Sequence, residues 1–349
     1  MKNKLSLEPP VEGKQAGSQL ADGFFFVIWN IKADLDHLAK AFGLTHYASR
    51  MPCCLCPCQA GKDAEQDMKY NNFTTLAKWL HMQYTHGQWK LANQNCHWLF
   101  QLPYLSAVNV DPDELHALHL GVSAYFLGSV LFILCFQILA GSPSDNLNAL
   151  WKMIVDMYRR LRTTCQFTNL TLNMFCNTSA PDRDYPKLKG KGAEIKDLVE
   201  PLHLIWSRHM RPGNHDDELV QSCLLHLCRA QNTLHDYTSE PFLPLPIARE
   251  FKTNITKLLQ NYSLLANSAD RQGLVLFAMV PKHHYVYHLG DRASYLNPRR
   301  GNTMVDEDHV GKIKEVVASC AHGTESHHVP TKFMEKYQWG KHMEYHYGF

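Results

Sequence analysis

The sequence carries almost no excess charge of either sign. Lysine and arginine number 35 against 33 aspartates and glutamates, a formal net charge of +2. No global field therefore favours nucleic acid, and any contact with DNA must be local. Three basic clusters are candidates, each equally explained as solvated surface: Arg159, Arg160 and Arg162; Lys187, Lys189 and Lys191; and Arg299 with Arg300.

The N-terminal segment lacks the apolar run of a secretory signal, and we expect residues 1–21 to form a disordered tail. Evenly spaced cysteine pairs, as in small secreted domains, are also missing. Four of the eleven cysteines fall within residues 53–58. We therefore expect reduced thiols in a nuclear or cytoplasmic protein, with this cluster available to bind a metal.

Strand-like segments are few. The apolar run Phe24–Trp29 predicts a buried strand, and Asp34–Gly43 a short helix. From about Phe73 onward the apolar spacing is mainly helical, and Leu274–Val280 fits either a strand or a buried helix. With 45% hydrophobic and 19% charged residues, the chain is predicted to be a folded α+β protein, predominantly α.

Leu120–Gly141 contains no charged residue and is long enough to cross a membrane as a helix. It also contains Gln137, two serines and three glycines, and it begins directly after a polar Asp/His motif. These features favour a helix buried in a soluble core. The alternative is a single-pass membrane protein anchored by residues 120–141, with no nuclease ancestry.

Cys53 and Cys56 form a C-x-x-C pair, whose thiolates can reach one zinc ion from a tight turn. A tetrahedral site needs two more ligands. His284 and His288 lie one turn apart if helical and share a face, so they are the favoured partners. Other arrangements stay open: His81 with His86, His283 as a substitute, or free cysteines in a loop.

Two further segments combine acidic residues with histidine or a helix start. Asp113 and His116 lie three residues apart at a predicted helix start, where they can meet or share a ligand, although a capping Asp113 and a surface His116 would explain them equally. Glu307 belongs to an acidic group that opens a helix presenting Val310, Ile313 and Val316. Complementing the helix dipole is a sufficient structural role for that group.

Taken in order, these motifs resemble the DDE/D transposases of the CACTA, Plavaka and Transib-like groups, over about Phe24 to Lys312. The resemblance implies a ribonuclease-H-like core in which Asp34, or less well Asp36, is the second catalytic aspartate and Glu307 the final glutamate. Asp113 and His116 match the D-x-x-H signature. Cys53, Cys56, His284 and His288 match the zinc ligands.

The resemblance implies a truncated core with a large helical insertion: residues 22–50 and 281–349 form the core, and residues 51–280 the insertion. Two Mg²⁺ or Mn²⁺ ions held by three carboxylates would carry DNA strand transfer. The strand bearing the first aspartate is not recognisable among the 33 residues before Asp34. We therefore expect an inactive or incomplete enzyme, a fragment of a longer reading frame, or a domesticated DNA-binding protein, and a homo-oligomer is among the states open to it. The alternative is an active nuclease that takes its first carboxylate from Asp36, Asp111 or a partner chain.

Overall fold

The computed structural model describes residues 28–102 and 104–348, and of Asp308 the backbone alone. Within these residues helices dominate and two short strands form one small sheet. The prediction of an α+β, predominantly α, protein is confirmed at this level. Phe24–Val27 of the predicted first strand lie outside the described residues, and the prediction is wrong for Ile28 and Trp29, which are not in a strand.

The sheet joins segments that are far apart in sequence. Strand β1 (Ile31–Lys32) pairs in parallel with β2 (Val110–Asp111), Ile31 opposite Val110 and Lys32 opposite Asp111. Parallel neighbours need a long crossover. Here it contains helices α1 (Leu35–Phe42) and α2 (His86–Ala92) and short 3₁₀ turns at Lys78–His81, Trp98–Gln101 and Ala107–Asn109.

Helix α1 forms where the sequence predicts it. The Asp34 carboxylate accepts a hydrogen bond from the His37 N–H at 2.6 Å, which caps the first turn. Gly43 ends the helix with φ 67°, a left-handed conformation that glycine adopts without strain. The prediction of mainly helical structure from Phe73 onward is wrong as far as Asp113, because loops and short turns fill most of that segment.

The apolar segment lies in a helix that runs through the protein interior. Helix α3 (Leu115–Ile138) has π-helical turns at Leu115–Ser123 and Leu134–Ile138 around an α-helical centre, Ala124–Ile133. It is long and apolar enough to cross a membrane, but 89% of its most apolar 18-residue window is buried inside the protein. This burial favours the core-helix interpretation.

In the described residues eight further helices follow α3. They are α4 (Pro143–Leu161), α5 (Gly192–Asp197), α6 (Val199–His209), α7 (His215–Asp236), α8 (Leu245–Arg271), α9 (Lys282–Arg292), α10 (Met304–Ala321) and α11 (Val329–Tyr347). Three of them, α4, α5 and α9, contact α3. Short 3₁₀ turns lie at Leu172–Met174, Pro298–Gly301 and Ser326–His328. Helix α9 packs against α8 and against the first turns of α3, while α10 packs along α11.

The segment Leu274–Val280 is neither strand nor helix, contrary to both expectations. It is a loop with Leu276, Phe277 and Ala278 buried. The Phe277 N–H donates to the Ser129 hydroxyl at 3.0 Å, so a side chain of α3 replaces the missing secondary-structure partner. Apolar packing, which the sequence does show, therefore did not determine the backbone conformation here.

Gly128 offers a direct test of how closely α3 is packed. An added Cβ would lie 2.8 to 2.9 Å from backbone atoms of Pro186, Lys187 and Leu188. Alanine gains about 1 kcal/mol of helix propensity, but overpacking against backbone costs about 1–3 kcal/mol. We expect Gly128→Ala to destabilise the protein by up to about 2 kcal/mol in urea unfolding, since the backbone cannot rotate away as a side chain can.

Gly311→Ala is the matched control, because Gly311 lies in α10 and its Cβ would meet nothing within 4 Å. That variant should gain up to about 1 kcal/mol. Equal stability of the two variants would show that α3 is not packed at Gly128, as in a lipid-exposed helix. Carbonate extraction of the tagged chain gives a second test, since recovery in the membrane pellet would favour the single-pass alternative.

Candidate metal centre and the neighbouring carboxylate–histidine cluster

Four buried side chains from the two ends of the chain converge on one point. Cys53, Cys56 and Cys58 each bring a sulfur, and His284 a ring nitrogen, to within 4.8 Å of one another. The Cys56 sulfur lies 3.1 Å from His284 Nε2 although the two residues are 228 positions apart. Three thiols and one imidazole are a familiar donor set of structural zinc sites. The group could hold a metal ion and is compatible with zinc.

Neighbouring groups orient the donors. His284 Nδ1 lies 3.1 Å from the Tyr70 carbonyl oxygen, which leaves Nε2 directed at the thiols. The Tyr285 hydroxyl donates to the Pro52 carbonyl at 3.0 Å and accepts from the Cys54 N–H at 3.3 Å. Helix α9 therefore supplies the imidazole and also fixes the cysteine turn, as outer-sphere partners do in zinc sites.

The protonation of the three thiols depends on their mutual contact. Burial raises the pKa of Cys56, but hydrogen bonds with Cys53 and Cys58 outweigh it and lower that pKa to about 5. Burial together with the two neighbouring thiols holds the pKa of Cys58 far above its usual value. A divalent cation would allow all three to be thiolates, because it offsets their repulsion and their loss of hydration.

His288, the second predicted histidine, lies beside this group. Its Nε2 is 3.0 Å from His284 Nε2, but it is not among the four residues whose donors all approach one another. The other histidines considered lie elsewhere: His81 and His86 are exposed, and His283 Nδ1 is 3.0 Å from the Val280 carbonyl oxygen. Burial lowers the pKa of His283 to about 4, so this side chain is neutral at pH 7.

Cys58 is the donor that the sequence prediction missed. The signal was present, because Cys56-Pro57-Cys58 extends the C-x-x-C pair by one further thiol. Cys54 in the same run contacts the Tyr285 hydroxyl instead, and burial raises its pKa to about 12, so it remains a neutral thiol. All eleven cysteines are described, and each is unpaired.

A second cluster contains three of the residues predicted to be catalytic. Asp34, His116 and Glu307 each bring one donor atom to within 4.8 Å of the others. Asp34 lies between β1 and α1, His116 in the first turn of α3 and Glu307 in the first turn of α10. His116 Nε2 is 3.6 Å from Glu307 Oε1.

Asp113 holds His116 of this cluster in position through the other ring nitrogen, Nδ1. Its carboxylate, which is 1% exposed, contacts His116 Nδ1 and accepts hydrogen bonds from the Thr303 N–H at 3.1 Å and hydroxyl at 2.7 Å. It also caps α3 by accepting from the Leu115 N–H at 3.0 Å. Asp113 thus fixes the histidine ring and the residue just before α10, the helix that carries Glu307.

The electrostatics of His116 follow from these neighbours. Burial alone would lower its pKa, but the hydrogen bond and charge of Asp113, together with Asp34 and Glu307, raise the pKa above 6.5. The next residue along the chain from Asp113, Glu114, is also buried. Its carboxylate pairs with His119 at 2.9 Å and accepts a hydrogen bond from the Asn302 side chain at 2.9 Å. This pairing anchors the loop between α9 and α10.

The alternative sources of a third carboxylate are engaged elsewhere. Asp36 is paired with Lys40 at 2.7 Å, and Asp111 with Arg292 at 3.1 Å. In the part of the chain that the structure describes, neither belongs to the Asp34–His116–Glu307 group.

The basic clusters differ in their surroundings. Arg159 and Arg160 are exposed and paired with Asp156 at 3.8 and 2.8 Å, and Arg299 lies 3.5 Å from Glu114. Lys187, Lys189 and Lys191 are exposed on the loop before α5. Burial, and after it the charge of Lys187, lowers the pKa of Lys282. The charges of Asp113 and Asp34 act in the opposite direction. The charge of Lys187 in this lysine loop (Lys187, Lys189 and Lys191) and those of the carboxylates Asp34 and Asp113 therefore meet at a common neighbour, Lys282.

No protein-family model matches the chain, and searches of the curated proteins and of the solved structures find no match.

Proposed function

We propose that the chain derives from a DDE/D-type DNA transposase and is an inactive or incomplete strand-transfer enzyme that retains a zinc site and local DNA affinity. The observation that carries the proposal is the meeting of Asp34, His116 and Glu307. Their order in the sequence suggested the family, and their proximity in space is what a common active site requires. A nuclear or cytoplasmic location belongs to this proposal.

The small parallel sheet supports the ribonuclease-H-like part of the proposal. Asp34 follows β1 and Asp113 follows β2, so both carboxylates lie just beyond the carboxyl ends of adjacent parallel strands. Functional groups in parallel sheets gather at that edge. The division into core residues 22–50 and 281–349 and helical insertion 51–280 remains a prediction.

The four donors of the zinc site support the proposal independently. Zinc bound by Cys53, Cys56, Cys58 and His284 would join the segment after β1 to α9, the helix that precedes Glu307. The family resemblance associates a C-x-x-C pair with two later histidines, and the described geometry accommodates one of these, His284, as a direct ligand. Zinc here would supply structure, since the chain's own donors fill all four positions.

Catalysis by this chain alone is not expected. Two cations clamped about 4 Å apart need several bridging carboxylates, and the cluster in the described residues offers two, from Asp34 and Glu307. With plasmid DNA and Mg²⁺ or Mn²⁺ we expect no cleavage that depends on Glu307. A nicking activity lost in Glu307→Gln would instead establish an active nuclease.

DNA binding is the sharpest test of the proposed function. We expect duplex DNA to bind through the lysine loop, because within the described residues its lysines form no ion pair with an acidic residue, and Lys187 acts on the same side chain, Lys282, as Asp34 and Asp113. Lys187→Ala, Lys189→Ala and Lys191→Ala combined should weaken binding at least 10-fold in fluorescence anisotropy. The slope of log affinity against log salt should fall by about 2–3, since each lost phosphate contact removes about 0.9.

Arg159→Ala with Arg160→Ala is the control, because these guanidinium groups already pair with Asp156. That variant should bind DNA as the parent does. Undetectable DNA binding by the parent at low salt, with zinc content intact, would refute the DNA-binding part of the proposal.

A further inference from the structure

We infer that Asp34, His116 and Glu307 bind a single transition-metal ion, with the His116 imidazole as a direct ligand. The inference uses the same residues as the proposed function and deepens it. It rests on that function only for the ion's role at DNA, since the geometry stands without it. It changes the chemistry expected of the site from two magnesium ions held by carboxylates to one softer ion held by nitrogen and oxygen.

The spacing of the donors suits one ion. Ligands about 2.0–2.2 Å from a common ion lie about 3–3.6 Å apart in tetrahedral or octahedral arrangements. His116 Nε2 and Glu307 Oε1 are 3.6 Å apart, and one donor atom of Asp34 lies within 4.8 Å of each. Asp34 caps α1 with Oδ1, so Oδ2 is available as a ligand.

The histidine is oriented as a ligand should be. Its Nδ1 faces the buried carboxylate of Asp113, which favours a proton on that nitrogen, so a metal ion between Asp34 and Glu307 would meet the lone pair of Nε2. A carboxylate that accepts from the second nitrogen of a metal-bound histidine fixes the tautomer and makes the imidazole more basic. Asp113 is itself held by both the N–H and the hydroxyl of Thr303.

The ligand set decides which ion binds. An imidazole with two carboxylates favours Mn²⁺, Co²⁺ or Zn²⁺ over Mg²⁺, which prefers oxygen and gives up water reluctantly. His116 is 19% and Glu307 43% exposed in the side chain. The ion would therefore keep open positions toward solvent, where water or a phosphate oxygen could bind.

Mn²⁺ is the probe that separates this site from the thiol site, because soft thiolates select zinc and carboxylates suit manganese. The full chain is loaded with one equivalent of zinc, which the thiolates take first, and is then titrated with Mn²⁺, with free Mn²⁺ followed by electron paramagnetic resonance. We expect about one bound Mn²⁺ per chain, with at least 10-fold preference over Mg²⁺ in competition. Pulsed measurements should show ¹⁴N modulation from one imidazole.

The variants identify the ligands. His116→Ala should abolish the ¹⁴N modulation and weaken Mn²⁺ binding at least 10-fold, and Glu307→Gln should weaken it similarly. Glu307 is exposed, so its variant carries little risk of misfolding. Asp306→Asn is the matched control, because Asp306 is its neighbour but pairs with Lys32 at 2.7 Å. That variant should bind Mn²⁺ as the parent does.

Bound Mn²⁺ without ¹⁴N modulation, equal losses in Asp306→Asn and Glu307→Gln, or no Mn²⁺ binding by zinc-loaded parent would each overturn the inference. Zinc content and DNA affinity are measured on the same preparations. If the chain binds no Mn²⁺ while its zinc content and DNA affinity are intact, the inference is refuted and the proposed function is not. If the chain binds Mn²⁺ but no DNA, the DNA-binding part of the proposed function is refuted and the inference is not.

Discussion

Cys53→Ser combined with Cys56→Ser is expected to reduce bound zinc from about one ion per chain to none and to lower the free energy of unfolding by at least about 5 kcal/mol. Binding at structural zinc sites contributes about 10–16 kcal/mol in small domains, and the larger core here retains part of the fold without it. Two of the four donors are lost, and serine does not replace a thiolate at zinc. Elemental analysis and urea unfolding give the two measurements.

Two cysteine variants serve as controls for the zinc prediction. Cys54→Ala removes a buried thiol of the same turn, whose sulfur lies 4.0 Å from the Tyr285 hydroxyl, and Cys165→Ser changes an exposed thiol. Both should retain zinc. Cys58→Ser should lose zinc, which separates the four-donor site from a site built only on the C-x-x-C pair. Full zinc content in the double variant would show that the metal, if present, binds elsewhere.

Arg292→Met is expected to destabilise the protein by about 3–5 kcal/mol, the usual cost of leaving a buried charge without its partner. The guanidinium, at the end of α9, donates to the carbonyl oxygens of Ala107 and Val110 and to Asp111 at 3.1 Å. It joins the helix of His284 to the strand that leads to Asp113. Its loss should therefore disturb both clusters together.

The pH dependence of this loss has a predictable sign. Burial raises the pKa of Asp111 even with Arg292 present, and removing the arginine should raise it further. The variant is destabilised by the ionised form of Asp111, which has lost its partner. The difference in free energy of unfolding between parent and variant should therefore be smaller at pH 5 than at pH 7. Urea unfolding at the two pH values measures the difference.

Two further variants test the assignment of this effect to a broken ion pair. Arg300→Met removes an exposed arginine that donates to the Ser239 carbonyl oxygen, and it should change stability by less than about 1 kcal/mol. Arg292→Met with Asp111→Leu should recover part of the loss, because an apolar pair replaces the unpaired charge. A larger loss of stability in Arg292→Met at pH 5 than at pH 7 would contradict the assignment to a broken ion pair.

Local spacing predicted the parts of the zinc site that lie within single segments. The C-x-x-C pair and the one-turn spacing of His284 and His288 are both visible in the sequence. Which donors meet depends on how α9 packs against the cysteine turn, and packing placed Cys58 in the group and left His288 at its edge. That choice is made by contacts such as Tyr285 with Pro52, which no local pattern encodes.

The residues predicted to be catalytic follow from the family resemblance, and the order of motifs alone does not show that they meet in space. Asp34 and Glu307 meet because the loop before α10 is tied to Asp113 and Glu114 through Thr303 and Asn302. The sequence indicated a cap for Asp113, and the structure adds its contact with His116. Buried polar networks of this kind join residues 190 positions apart and leave no periodic signal.

We propose above all that thiols near the beginning of the chain and an imidazole near its end bind one zinc ion. X-ray absorption at the zinc edge of the purified full chain tests it most directly. The account predicts one zinc per chain with three sulfur ligands at about 2.3 Å and one nitrogen at about 2.0 Å, the nitrogen contribution disappearing in His284→Ala. A zinc-free protein, or zinc bound only by nitrogen and oxygen, would contradict it.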